Sequence, residues 1–375
     1  MKNHGFTSIH DFLGDLLVYR NLSPVDPRLG GFRDKLRKLG LSLGLVPRKS
    51  DPEYAHIMVS LLKEARSLEM PVSIERLVYI GDTRLNDGTA FTNICRAGGW
   101  RGLAFIGSDK QGRQDAEILN QGNEKIYLAN CWSALMDFGH FCRTQGFSLD
   151  EATAILVDID KTALGARGRN DHVIDQARIE AVRHTITVLL GGGFDQVRFK
   201  TAYDRFNQPE FHAFTADNQD YLAYICLILG CGLYGLGGLV NDVQTGRLAS
   251  FEQMIAEVDG QCDRLPPELN EIHGEIYRLV RKGDPTPFKA FRFSEYKTTA
   301  ERMGKLDEDA EVDQLLQEEI VITQEVREVA LMWRDQGALL FGLSDKPDEA
   351  SIPSPELASR GYLPIHRIRT HAVGV

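Results

Sequence analysis

No C-x-x-C pair and no zinc-like spacing occurs among the six cysteines of this 375-residue chain: Cys95, Cys131, Cys142, Cys226, Cys231 and Cys262. Their pattern argues against a thiolate-ligated zinc site and for reduced thiols, which points to a cytoplasmic protein. Positive charge is also short. The formal net charge is −10 and the pI about 5.5, which excludes a nucleic-acid binder that works by general phosphate attraction. A phosphorylated small molecule needs only a local positive site and stays open. Internal repeats and low-complexity linkers are missing. The N-terminal stretch lacks an unbroken apolar core, because His10, Asp11 and Asp15 interrupt it, so it does not read as a secretory signal. The one long stretch without charge, Tyr221 to Val240, has the length of a membrane span. It holds Gly230, Gly232, Gly235, Gly237 and Gly238 and has no flanking Lys/Arg cluster, so a buried helix pair is expected and no membrane association.

What is present is a rhythm of short apolar strands and helices. ERLVYIGD, WRGLAFIG (100–107) and ATAILVDID read as strands, the last buried on both faces because it does not alternate. The first 50 residues read as helical pieces. SDPE (50–53) reads as a helix start, with Ser50 as N-cap, Pro52 in the first turn and Glu53 closing a capping box; this helix stops before Pro71. Residues 88–97 read as a further helix, and 108–150 as a polar stretch followed by a helix around 131–145. From 170 to 330 long helical patterns dominate, and the acidic run 307–319 suits the start of a solvated helix. A helix at 325–336 then leads into the strand ALLFGLSDKP, and LPIHRIRTHAV (363–373) reads as a fifth strand. The fold class expected is α/β: a doubly wound parallel sheet with an inserted all-α domain. The expected boundaries are 1–166 and 329–375 for the core and 167–328 for the insertion.

The strand ends carry the chemistry. Asp158 and Asp160 follow Ile155-Leu156-Val157, Ser344 follows LFGL, Asp82 follows VYIG, Asp87 comes five residues later, and Lys49 precedes the helix at 52. In a parallel α/β sheet the carboxyl ends of all strands open onto one crevice. An aspartate there can attack phosphorus, and a second one two residues on can protonate the leaving oxygen and then activate water. A hard cation such as Mg2+ would relieve repulsion among Asp158, Asp160 and Asp82. A serine hydroxyl and a lysine ammonium can hold the transferring group.

DIDKT, with these companions, resembles the D-x-D-x-T signature of the haloacid dehalogenase (HAD) superfamily, mostly magnesium-dependent phosphohydrolases. The resemblance implies that Asp158 is nucleophile and metal ligand, that Asp160 is general acid/base with its carbonyl on the metal, and that Thr162 positions the loop. Ser344 in FGLSDKP is similar to the second motif, Lys49 in RKSDPE to the third, and GDTRLND (81–87) to the fourth, which makes Asp82 a metal ligand supported by Asp87. The following FTNICRAGGWRGLAFIG is also similar to the helix, turn and strand that family members place next. The resemblance covers about 45–107, 152–169 and 325–350. The third and fourth motifs precede the first, as in a circular permutation whose old ends are joined through 108–152. The helical block resembles a cap domain, which would close over the crevice and choose the substrate. A carboxylate at 160 favours phosphate ester hydrolysis or phosphoryl transfer, since dehalogenase and phosphonatase relatives lack it.

These readings point to a phosphatase acting on a small phosphorylated metabolite, with a phosphotransferase or phosphomutase, or a non-catalytic binding protein of the same fold, as the alternatives. Lys346 competes with Lys49 for the phosphate-neutralising role. Asp87 and Ser344 also suit helix capping. Arg167 and Arg169 lie close enough after the first motif to reach substrate. The basic group at 278–297 reads as a solvated helix face, and His172, His184, His212 and His273 as structural or surface residues. GCGLYG (230–235) matches G-x-G-x-x-G after an apolar run, but a dinucleotide site also needs a helix starting there and an acid about twenty residues on.

Overall fold

A computed structural model of the chain describes residues 1–41, 44–122 and 124–375. Two compact units emerge: Met1–Gln176 with Thr299–Val375, and Ala177–Thr298. The second is narrower than the 167–328 expected. Residues 167–176, including the start of the helix Asp171–Leu190, and residues 299–328 belong to the first unit.

The strands of the first unit are β1 (Lys2–Thr7), β2 (Leu17–Val18), β3 (Arg76–Gly81), β4 (Arg101–Gly107), β5 (Ala116–Gln121), β6 (Glu124–Ala129), β7 (Thr153–Asp158), β8 (Ile322–Thr323), β9 (Leu339–Leu343) and β10 (Thr370–Gly374). Seven of them form one sheet in the order β2-β9-β7-β3-β4-β6-β5, parallel throughout except for the antiparallel edge strand β5. All six residues of β7 are buried, as its non-alternating sequence requires. Leu77, Tyr79, Ala104, Ile106, Leu156 and Phe341 join one apolar cluster with the helices Pro52–Glu69 and Asn86–Gly98. The residues between them face the other way: Phe105 meets Trp132 and Phe138, and Phe138 meets Trp333 of the helix Gln324–Asp335. Helices therefore cover both faces of a mostly parallel sheet, the α/β architecture read from the sequence.

Several local expectations fail for identifiable reasons. The N-terminal 50 residues contain β1 and β2 beside the short helices His10–Leu13 and Phe32–Leu39. The polar stretch after 108 contains β5 and β6, an edge ribbon that needs little apolar surface. Residues 42, 43 and 123, within those two stretches, lie outside the described residues. Ser50 does not cap the helix Pro52–Glu69; Asp51 holds the N-cap position, and its carboxylate instead accepts the Arg48 N–H at 2.7 Å. The strand expected at 363–373 is β10 alone. It belongs to a separate three-stranded sheet of order β1-β10-β8, and 365–367 form a 3-10 turn. Of the acidic run, only Val312–Glu318 is helical. Glu319 is buried, accepting from His371 Nδ1 at 2.7 Å and Thr370 Oγ1 at 2.7 Å.

Among the described residues, the second unit holds helices and turns only. Its core includes the helix Gln219–Gly230, in which every residue from Asp220 to Leu229 is buried. That burial accounts for the charge-free run, and no helix among the described residues is long and apolar enough to cross a membrane. GCGLYG joins the end of that helix to the helix Leu236–Gln244, so the strand that a dinucleotide fingerprint requires is not there. Arg292 departs from the solvated face expected of it. It is buried between Asp220, at 2.8 Å from Nε, and Glu295, at 2.6 Å from Nη1. His273 is structural as expected, buried with its Nδ1 2.6 Å from Tyr224 Oη.

Candidate active site

Strand adjacency brings the candidate residues together. β7 lies between β3 and β9, so Asp158 at the end of β7 has the end of β3 on one side and Leu343 of β9 opposite it on the other. Asp82 follows β3 directly and Ser344 follows β9. These residues are scattered along the chain and neighbours at the carboxyl edge of the sheet, where such folds form their crevice.

The turn after β7 is tight. Ala163 N–H donates to Asp158 O at 3.2 Å and Leu164 N–H to Ile159 O at 2.9 Å. Lys161 takes the left-handed conformation, φ 60°, which costs a non-glycine residue about 1 kcal/mol or more. Its ammonium is anchored on both carboxylate oxygens of Asp175 at 2.8 Å. Thr162, fully buried, donates its hydroxyl to Asp158 Oδ2 at 2.9 Å. Ser344 donates its hydroxyl to Asp160 Oδ2 and accepts the Lys346 backbone N–H at 2.9 Å.

Lys49 reaches the cluster from the loop before the helix at Pro52. Its ammonium, with only 4% of the side chain exposed, lies 2.6 Å from Asp158 Oδ1 and 2.5 Å from Asp87 Oδ1. Lys346, its competitor in the sequence, directs Nζ to Thr299 Oγ1 at 2.9 Å. Asp87 is the organiser of the β3 loop. Its Oδ2 accepts the N–H groups of Asp82 at 3.0 Å and Thr83 at 2.8 Å and the Thr83 hydroxyl at 2.9 Å; its Oδ1 also accepts the Tyr79 hydroxyl at 3.0 Å. It is the second residue of the helix Asn86–Gly98 and does not occupy the N-cap. Gly81 makes this closeness possible, because a Cβ there would stand 2.7 Å from the Asp87 carboxyl.

Carboxylate oxygens of Asp82, Asp87 and Asp158 lie within 4.8 Å of one another. Lys49 and the Arg167 guanidinium, which donates to Asp82 Oδ2, are the cations among them. Three carboxylates against two cations leave one negative charge in excess. The consequences are uneven. Burial resists the charge of Asp87, but Lys49 and the Thr83 N–H outweigh it and hold the carboxyl at about 2. Burial and then the Asp87 charge push Asp82 up to about 7 in spite of Arg167. Burial also pushes Asp158 well above the usual carboxylate range, although Lys49 opposes it. Burial disfavours the Lys49 ammonium, yet Asp158 and Asp87 prevail and raise its pKa. Such a set suits a hard divalent cation: the donors are all carboxylate oxygens, they converge, and they are one positive charge short.

No known protein family, curated protein or solved structure matches this chain. Lys49, Asp82, Asp87, Asp158 and Thr162 form one connected cluster, and Asp160 with Ser344 forms a second pair two residues along the same turn. Arg167 joins the first group through Asp82. Arg169 does not: its guanidinium is buried and held by Asp109 at 2.7 Å and by both oxygens of Glu325 at 2.9 and 3.0 Å, so it ties the loop to the helix Gln324–Asp335. Sequence reasoning missed Tyr79 and Thr83. Thr83 stands four residues before Asp87 in GDTRLND, a spacing at which a threonine and an aspartate can bond across one turn; Tyr79 offered no signal beyond its place in an apolar strand.

Proposed function

We propose that the chain is a magnesium-dependent phosphohydrolase that cleaves a small phosphorylated metabolite through an aspartyl-phosphate on Asp158, and that it is a circularly permuted relative of the haloacid dehalogenase superfamily. The observation that carries this reading is the convergence of Lys49, Asp82, Asp87 and Asp158, from three separate segments, beside an Asp160–Ser344 pair. A buried carboxylate touching a lysine, next to a second carboxylate bonded to a hydroxyl, supplies a nucleophile, a proton carrier and phosphoryl-oxygen donors together.

Asp82, Asp87 and Asp158 are the residues that would hold magnesium. The ion, when bound, supplies positive charge that lowers the carboxylate pKa values and neutralises phosphoryl oxygens. The remaining work falls to this chain. A carboxylate oxygen of Asp158 forms a bond to phosphorus as the ester P–O bond breaks, and the leaving oxygen takes the proton of Asp160. Asp160, now ionised, accepts a proton from water; the water oxygen bonds to phosphorus and the Asp158–phosphorus bond breaks, releasing inorganic phosphate and restoring both carboxyl groups. Lys49 and Ser344 are the donors for the phosphoryl oxygens, and Thr162 holds the Asp158 carboxylate in orientation.

The test is release of phosphate from a panel of phosphate esters, with magnesium or with a chelator. Magnesium-dependent turnover that Asp158→Asn abolishes is the expected result. Failure to turn over any ester under either condition would favour a binding protein of the same fold, and transfer to an added alcohol in preference to water would favour a phosphotransferase.

A further inference from the structure

We propose that Arg167 is an exchangeable counter-ion: it holds Asp82 in the metal-free protein, must be displaced for a divalent cation to bind, and then serves the anionic substrate. The proposal rests on the metal-site reading above.

The two cations of the cluster are unequal. Lys49 is buried and bridges two carboxylates, so a metal that took its place would leave a buried ammonium unpaired. Arg167 pairs with Asp82, whose side chain is 7% exposed, while 37% of the arginine side chain is open to solvent. It therefore has a path outward. Its backbone has none. The Arg167 N–H donates to Lys161 O at 2.8 Å, and its carbonyl accepts the Asp109 N–H at 2.9 Å and the Trp132 indole N–H at 3.1 Å. The next residue, Gly168, has φ +77°, and a Cβ there would lie 1.9 Å from Asp109 O, so the chain passes this point in one way only. A fixed backbone with a free, long side chain makes a swinging cation. Displaced from Asp82, the guanidinium stays tethered beside the same turn as Asp158 and Asp160, and its forked donors match a phosphate. Metal and phosphate then help each other bind, since each removes a competitor of the other, and the coupling is reciprocal.

Calorimetric titration of the full chain with magnesium chloride, with and without inorganic phosphate, tests this without measuring turnover. Removing the competing cation in Arg167→Gln is expected to tighten magnesium binding about fivefold. It is also expected to shrink the gain in magnesium affinity that phosphate gives the wild type. If the circular dichroism of Arg167→Gln shows a folding defect, Arg167→Lys carries the test; its point charge holds a carboxylate less firmly, so it too binds magnesium more tightly than the wild type. Affinity equal to or weaker than wild type in the folded variant overturns the proposal and leaves the metal site standing. Absence of magnesium binding in wild type and variant alike, or binding unchanged by Asp82→Asn, overturns the metal site and the proposal with it.

Discussion

Replacing Lys49 by methionine keeps much of the side-chain volume and removes the ammonium. Asp87 and Asp158 then remain, 2% and 6% exposed, without their shared cation. Deleting one partner of a buried ion pair costs about 3–5 kcal/mol; here one ammonium serves two carboxylates, which places the expected loss toward the upper end. A proton relieves part of it. Asp158 is already pushed upward by burial, and without Lys49 it holds a proton to still higher pH. The folded state then binds more protons than the unfolded chain, so the stability of Lys49→Met falls as pH rises. The deficit relative to wild type therefore grows as pH rises. Urea unfolding in the presence of a chelator measures it. Adding Asp158→Asn removes one stranded charge, and the double variant should recover about 1–2 kcal/mol relative to Lys49→Met alone. A Lys49→Met protein within about 1 kcal/mol of wild type at every pH would refute the reasoning, because the ammonium would then compensate nothing.

Three further outcomes are expected. Gly81→Ala puts a methyl group against the Asp87 carboxyl, so it should destabilise the protein by about 1–3 kcal/mol and weaken magnesium binding, read by urea midpoint and calorimetry. His366, buried beside the Tyr19 hydroxyl, is held down at about 4 by its burial, although Asp15 opposes this; the unfolded chain takes up that proton from about pH 6.5 downward and the folded chain does not, so about 3 kcal/mol of stability present above pH 6.5 is lost by pH 4, and His366→Gln should flatten that slope in urea titrations. In the helical unit, Arg292→Met takes the guanidinium from buried Asp220 while Glu295 keeps Arg178, and should cost about 3–5 kcal/mol, with Asp220→Asn in the same chain recovering part of it.

The strands that position the site were legible because a parallel sheet covered on both faces demands unbroken apolar runs, and LVYI, GLAFI, AILV and LLF are such runs. β1 (KNHGFT), β5 (AEILNQ) and the two-residue β2 and β8 were not. β1, β2 and β8 pair with neighbours far away in the chain, and β5, in a hairpin with β6, is an edge strand, where polar residues are tolerated. The carboxylates at strand ends were legible for the same reason as the strands, since strand position predicts the crevice. What the arginines do was not. Arg169 meets Glu325, Arg167 meets Asp82 and Arg292 meets Asp220 across 156, 85 and 72 positions, and nothing local distinguishes a buried guanidinium from a solvated one. The helix start at 50–53 failed by one residue, because Asp51 was available to take the cap position in place of Ser50.

The central claim is that Asp158 carries the phosphoryl group. Rapid quenching of the protein during reaction with any ester it cleaves, followed by mass spectrometry of its peptides, tests this most directly. One phosphoryl group is expected on the peptide containing Asp158, present with magnesium and absent in Asp158→Asn. Turnover with that peptide unmodified and with Asp158→Asn as active as wild type would contradict it.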